Sequence, residues 1–492
     1  MARQTRREFI EQSIFAAATA SFAAMPRPTR AATETKGPRS PNEKLHVACV
    51  GVNGRGRDHM QWMLRPGSDV EIVAIVDVDE AVGKARVDSV KKRTHKAPKY
   101  YRDIRQMLED PSIDIVSIAT PNHWHSLAAI WAIQAGKDVY VEKPVSHNVK
   151  EGRRLVQAAR KYNRIVQAGM QSRSLSGAKQ AIDFVRSGKI GEVKLARGLC
   201  YKIRGSIGPR GVYAVPKSVD YDLWLGPAPE KPLTRKSLHY DWHWIWDYGN
   251  GDLGNQGIHQ MDVCRWGLDV HDIGSSVLSY GGRFGYEDAG QTANSQVSIH
   301  EYPNGKRVVF EVRGLKTPKL LGTKIGAVFY GTDGYMVVGE EDYGSATAYD
   351  LKGNETKKFN GGVTLDHWKN FTSAVRSRKR QELNGEVLEG HLSSALCHLA
   401  NISYRLGDLM SGSEAAERLA SDKETSETFE RFSHHLASDQ VNLQNTKILR
   451  FGKQLPIDPK AEIFSSDALA DANAMLTRQY RSPFVVPSEN DI

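Results

Sequence analysis

The chain has 492 residues, 40% of them hydrophobic and 25% charged, with a formal net charge of +10. That length supplies two or three domains, each with a core of its own, and the balance is that of a soluble globular protein. The basic residues are scattered, with no aromatic-interleaved basic stripe, so nucleic-acid binding is excluded. Cys49, Cys200, Cys264 and Cys397 lie too far apart for a disulfide framework or a zinc site. At the N-terminus, Thr5-Arg6-Arg7-Glu8-Phe9-Ile10 resembles a twin-arginine export signal. The alanine-rich run that follows suits a signal-peptide core and is too short to span a bilayer. Residues 1–32 are therefore read as a signal peptide and 33–43 as a linker. The expected location is periplasmic, with no membrane insertion after cleavage.

From Leu45 the pattern becomes strand, glycine turn, helix, strand. Apolar strands are predicted at Leu45–Val50, Val70–Val76, Ile113–Ala119, Asp138–Val141 and Arg164–Ala168, and helices at Arg57–Leu64, His125–Ala135 and 149–162. Strands alternating with helices of this length imply a parallel sheet covered on both faces. Residues 44–172 are read as this first domain. Past residue 190 the strands alternate polar and apolar residues: Val193–Tyr201, Ser275–Arg283, Gln296–Tyr302, Arg307–Arg313 and Ala327–Tyr330. These predict a larger, mainly antiparallel sheet with one open face. Helices follow at 364–378 and 390–406, giving an α/β domain over 173–410. Residues 411–492 are expected to pack as an extension on the body or on a partner subunit.

Gly51-Val52-Asn53-Gly54-Arg55-Gly56 joins the first strand to the first helix. Asn53 stands where a dinucleotide-binding fingerprint has its second glycine and Gly54 is displaced by one, yet Gly51 and Gly56 can still make the tight turn and the close helix–strand approach. The helix N-terminus would then face a pyrophosphate. The second strand ends in Asp77, 26 residues after Gly51. An acid there accepts ribose hydroxyls and repels a 2′-phosphate, so NAD is expected rather than NADP. Thr120-Pro121-Asn122-His123 follows a further strand, at the carboxyl edge where such sheets bind ligands. Its histidines, with no carboxylates clustered nearby, are read as turn and cap residues and no metal is expected. Glu142-Lys143-Pro144 closes the next strand, and a lysine there can stabilise a developing alkoxide.

These features, with Gln167-Ala168-Gly169-Met170-Gln171, make residues 44–410 resemble the glucose–fructose oxidoreductase/inositol dehydrogenase (Gfo/Idh/MocA) family. The resemblance implies a Rossmann domain followed by an α/β domain whose open sheet often mediates oligomerisation, here a homodimer or homotetramer. It also implies NAD(P)-dependent redox chemistry on sugars, cyclitols or their derivatives, with Gln171 among the cofactor contacts. The family's second motif matches Gly249–Asp262 and supplies His259 as general base, with Asn255 and Asp262 sharing its helix face and either of them orienting the imidazole. Many family dehydrogenases carry an aspartate where this chain has Asn255, so His259 has no carboxylate four residues before it. Trp242 and Trp244 are candidates for an aromatic wall against a sugar ring. Tyr201, Lys202 and Arg204 are candidates for the same pocket.

An exported chain has no pool of NAD to draw on, so the cofactor is expected to be loaded during folding, tightly held and regenerated within each cycle. Oxidation of one sugar coupled to reduction of a second carbonyl compound satisfies this. So does a glycosidase that oxidises a sugar carbon transiently, eliminates a group and returns the hydride. A non-catalytic sugar-binding protein is the third alternative.

Overall fold

The computed structural model describes residues 43–339, 343–466 and 469–492. The export motif and the linker up to residue 42 lie outside the described residues.

Strands β1 (Leu45–Val50), β2 (Val70–Val76), β3 (Lys99–Tyr101), β4 (Ile115–Ile118), β5 (Asp138–Val141) and β6 (Val166–Ala168) form one parallel sheet in the order β3-β2-β1-β4-β5-β6. The order reverses beside β1, which places the carboxyl ends of β1 and β4 at the crevice where such sheets bind ligands. Alternation along β1 sends Val47 and Cys49 to one core, shared with Met60, Trp62 and Phe371, and Ala48 and Val50 to the other, shared with Leu127, Val141 and Leu155. Three elements of this domain carry no predicted counterpart: the helix Glu80–Thr94, β3 and the short helix Ile104–Leu108. None shows a clean apolar period: only Gly83 and Val90 of the first are buried, and the other two are three and five residues long.

The second sheet contains β7 (Val193–Cys200), β8 (Ser276–Gly282), β9 (Ser295–Glu301), β10 (Arg307–Arg313), β11 (Ile325–Gly331), β12 (Gly334–Val338), β13 (Ala346–Asp350) and β14 (Glu355–Phe359). Its order is β14-β13-β12-β11-β7-β10-β9-β8, extended by β16 (Leu449–Phe451) and β15 (Asp408–Met410), and it is antiparallel except where β7 meets β10. Helices Ser176–Arg186, Ile258–Leu268 and Val387–Arg405 fill one face with an apolar core. On the other face, helix Lys423–Ser438 sets Phe429, Phe432 and Leu436 against Tyr280, Val297 and Val309. Beside them Arg197, Arg313 and Arg431 surround the buried Glu311 carboxylate.

Two irregular segments lie on the first domain. The stretch 201–250 leaves β7 and crosses the end of β2, where Ser218 O accepts from Glu80 N, Asp220 N donates to Val78 O, and His239 Nε2 lies 3.0 Å from Asp79 Oδ2. The C-terminal residues then fasten this stretch from outside. Arg478 donates to Asp247 O and Arg481 to Gly226 O, while the Phe484 ring packs edge-on to Trp124.

Candidate active site

Between the first sheet and the crossing segment lies a cavity of about 530 Å³. Its dinucleotide-shaped half is built by glycine geometry. Gly51 adopts φ +76°, and a Cβ there would lie 2.8 Å from Thr120 N. A Cβ on Gly56 would fall onto the Gly51 carbonyl oxygen, so helix Arg55–Met63 approaches β1 only because position 56 has no side chain. Gly56 itself does not face the cavity; Gly51, Asn53, Gly54 and Arg55 do. The helices that begin at Arg55 and Asn122 both start at the cavity without a side-chain cap, preceded by Gly54 and Pro121. The neighbouring helices are capped by Asp79, Asp103 and Asn148. The two open N-termini therefore present free N–H groups and positive partial charge. Thr120 Oγ1 and Asn122 Oδ1 are buried there with no hydrogen-bond partner. These orphaned atoms and the cradle of glycines fit a bound dinucleotide.

Asp77 lies at this half, with Oδ2 accepting from Val52 N at 2.9 Å and Oδ1 from Asp79 N at 3.0 Å. Burial pushes its carboxyl above the usual range, against those two bonds. Arg102 and Asp103 also line this end, a placement that no sequence signal indicated because β3 was not recognised.

At the other half, β5 delivers Glu142 and Lys143. The buried Glu142 carboxylate accepts from Arg55 Nε at 2.9 Å and from Gln171 Nε2 at 3.3 Å, with His59 Nε2 at 3.0 Å. Burial opposes its ionisation, but Arg55 and His59 more than offset this and hold the carboxyl well below the usual range. Lys143 Nζ donates to Asn255 O at 2.5 Å. Burial lowers its pKa, and the Glu142 charge only partly restores it.

The segment predicted as a helix from Asn255 opens as a wide π-turn, Leu253–Gly257, before helix Ile258–Leu268. Gly257 permits the turn to lie on β10, since a Cβ would lie 2.5 Å from the Phe310 ring. Asn255 and His259 both line the cavity. Among the described residues neither the Asn255 amide nor the His259 imidazole has a hydrogen-bond partner. The His259 ring lies 5.7 Å from that of Tyr343. Burial, followed by the Lys143 charge, pushes His259 down to about 3, so it is a neutral acceptor at physiological pH.

Five expected site residues sit elsewhere. Asp262 does not orient His259: it is buried against Arg173, which grips both its oxygens, and it accepts from Ser393 Oγ. Tyr201 donates to Glu311 on the second sheet at 2.7 Å. Arg204 is paired with Asp252 (2.9 and 2.5 Å) beside the cavity rather than in it, and its guanidinium covers the buried Trp244 ring. His123 turns away from the cavity and sits against Trp224 O; it is His125, two residues along the helix, that faces in. Of Trp242 and Trp244 only Trp242 lines the cavity, stacked on His243 at 3.6 Å, while Trp124 and Trp224 line it too. His239, Tyr240, His243 and Tyr343 join it there. The first three belong to an aromatic-rich stretch legible in the sequence; Tyr343 carried no signal.

Cavity, glycine turn and strand-end lysine define a dinucleotide-binding oxidoreductase fold. Residues 45–170 match the family model described as an oxidoreductase family with an NAD-binding Rossmann fold (Gfo/Idh/MocA), and residues 203–331 match its C-terminal alpha/beta domain. The chain belongs to this family. It is similar to inositol 2-dehydrogenase of Salmonella typhimurium, at 29% identity over 158 residues, or 32% of this chain and 46% of that enzyme. It is also similar to glycosyl hydrolase family 109 protein 1 of a Shewanella strain, at 30% identity over 158 residues, or 31% of this chain and 34% of that protein. Each match thus spans less than half of the curated relative. Levoglucosan dehydrogenase, solved with NADH and levoglucosan, shares the fold at a TM-score of 0.55 and 17% identity, covering 73% of this chain and 97% of that one. No helix among the described residues is long and apolar enough to cross a membrane.

Proposed function

We propose that this protein oxidises a secondary hydroxyl of a sugar-type substrate and passes the hydride, through a resident NAD, to a second carbonyl compound taken into the same site. The observation that carries the reading is the pairing of Lys143 Nζ, fixed by Asn255 O, with an unpartnered neutral His259 on the same cavity wall. His259 accepts the hydroxyl proton, and Lys143 directs its remaining N–H groups at the oxygen as negative charge develops. The bound dinucleotide supplies the hydride acceptor and donor. Trp242 and His243 offer a flat face to a sugar ring, and Asp77 favours NAD over NADP. Inositol 2-dehydrogenase and levoglucosan dehydrogenase, the named relatives, support substrates of this class.

Residency of the cofactor is supported by the segment 201–250, whose Trp224, His239 and Tyr240 wall the cavity opposite the glycine turn. Export through the twin-arginine route, read from Thr5–Ile10, and association of copies through the remainder of the second sheet belong to the same proposal. The stacked Tyr335 and Tyr349, 4.9 Å apart and half-buried, lie on that remainder.

A second reading, a glycosidase working by transient oxidation, is favoured by two observations: His259 lacks a carboxylate partner, and the chain resembles a family 109 glycosyl hydrolase over 158 residues. The test is an absorbance spectrum of the exported protein before and after adding sugars and glycosides, with a denatured portion used to identify released nucleotide. Lasting reduction at 340 nm with a sugar supports the oxidoreductase. Glycoside cleavage without lasting reduction supports the glycosidase, and absence of any nucleotide, with none taken up, refutes both.

A further inference from the structure

His243 is carried into the cavity wall by a strained turn. Tyr240, three residues earlier, adopts φ +68° and ψ −49° and is the centre of a γ-turn of the rare hand, closed by Asp241 N donating to His239 O at 2.9 Å. A non-glycine residue keeps such a conformation only where its surroundings fix it. Here they do so from both sides. Arg204 Nη1 donates to the Tyr240 hydroxyl at 3.1 Å and is itself held by Asp252, while His239 is tied to Asp79. Gly249 lets the turn lie close, since a Cβ there would come within 2.6 Å of His243 Cα and of its carbonyl oxygen.

The turn sets the protonation of the imidazole. Tyr240 O lies against His243 Nδ1, and a carbonyl only accepts, so Nδ1 carries the proton and Nε2 is left as an acceptor. Among the described residues Nε2 has no hydrogen-bond partner. Burial pushes the pKa down to about 3 against the Tyr240 bond, with the Lys143 and Arg204 charges adding to the fall, so the ring is neutral. Trp242, stacked on it at 3.6 Å, fixes its plane. The cavity therefore holds two neutral imidazoles with an open acceptor, His243 and His259, both within electrostatic reach of Lys143. Only one of them is needed to take the proton of the reacting hydroxyl. A flat aromatic face accepts a sugar ring in several rotations about its normal, and an acceptor at one edge selects among them.

Resting on the oxidoreductase reading above, we infer that His243 Nε2 accepts a hydrogen bond from a second hydroxyl of the substrate ring and thereby selects which hydroxyl reaches Lys143 and His259. The ligand this fits is a ring with at least two free hydroxyls. His243 holds its own proton on Nδ1 throughout, so it orients the ring and takes no part in the transfer.

The test follows reduction of the bound nucleotide at 340 nm in the purified holo-protein. Whichever of glucose, galactose, mannose and myo-inositol reduces it fastest is compared with its monodeoxy analogues. Among the analogues that keep the reacting hydroxyl, one is expected to lose at least tenfold in apparent second-order rate constant, because it leaves an enclosed acceptor unpaired. His243→Phe keeps an aromatic ring on Trp242 and removes the acceptor. It is expected to retain the nucleotide, to slow the parent sugar at least tenfold and to leave that analogue within twofold, bringing their ratio near one. His243→Gln, which returns an acceptor, is expected to recover part of the ratio. A ratio unchanged in His243→Phe for every analogue overturns the inference and leaves the oxidoreductase reading standing. So does wild-type protein that treats every such analogue like the parent, a result that needs no variant to fold. No reduction and no glycoside cleavage with any compound refutes that reading, and the inference with it.

Discussion

Replacing Glu142 by Gln removes one negative charge while keeping the side chain's shape, and it tests how the site is held together. The carboxylate accepts from Arg55 and Gln171, lies against His59, and its Oε2 accepts from Lys143 N at 3.2 Å. Breaking a fully buried ion pair from one side costs about 3–5 kcal/mol. The Arg55 side chain is 36% exposed, so water screens its half and the loss there falls to about 2 kcal/mol. His59, fully buried, loses a charged acceptor and adds about 1 kcal/mol. Unfolding entropy for a chain of this size is about 1 kcal/mol/K, so a total near 3 kcal/mol lowers Tm by about 3 °C. A second readout separates this from simple destabilisation. Glu142 raises the pKa of Lys143 against burial, so its removal lowers that pKa further. If Lys143 must be protonated to meet the developing alkoxide, the alkaline limb of the pH–rate profile moves to lower pH. Calorimetry on nucleotide-stripped protein and a kcat/KM profile between pH 6 and 10 give both numbers. A Tm within 1 °C of wild type together with an unmoved limb would show that Glu142 is not the counter-charge described.

Three further outcomes are expected. Gly56→Ala drives a methyl group into the Gly51 carbonyl, and the nucleotide recovered on denaturation should fall at least tenfold; recovery at the wild-type level would contradict the cradle. His259→Gln should retain the nucleotide but slow its reduction by sugar by about 10²–10⁴-fold, measured at 340 nm, since it removes only the proton acceptor. The buried histidines His123, His243, His259, His300 and His398 are each pushed down to about 3. Their folded pKa lies below the unfolded value of about 6.5, so protons bind the unfolded chain first and stability falls as pH drops from 6.5 towards 3. At pH 5 each removes about 2 kcal/mol. A Tm unchanged between pH 7.5 and 5 would show that these rings are not buried and neutral.

Much of the first domain was legible because its signals are local. The glycine turn, Asp77 and Glu142-Lys143 each sit at the end of an apolar strand, and a strand end fixes where a side chain points. The second domain's site was less legible because its side chains are placed by partners distant in sequence. Asp262 lies three residues from His259 on one helix, yet Arg173, 89 residues earlier in the chain, claims it. Tyr201 follows a strand that enters the site, but alternation turns it towards Glu311 on the opposite face. The short strands β12–β14 were missed for a related reason. Each is only five residues long, the last exposes Glu355–Lys358, and they hang on one another in turn, β12 on β11, β13 on β12 and β14 on β13.

The crossing segment bears on the proposal of an exported protein with a resident dinucleotide. It leaves β7 at Tyr201 and returns at Asp252, which opens the turn whose Asn255 O holds Lys143 Nζ, while its middle is bonded to the end of β2 near Asp77. On the proposed reading, a dinucleotide extending from Asp77 to Lys143 runs beneath it along its length. Release then requires the Ser218, Asp220 and His239 contacts to open together, against the Arg478 and Arg481 bonds that fasten the segment from outside. Such a site loads best while the chain is folding. That order of events matches a route that exports folded proteins, and it makes return of the hydride within each cycle a physical requirement wherever free NAD is absent.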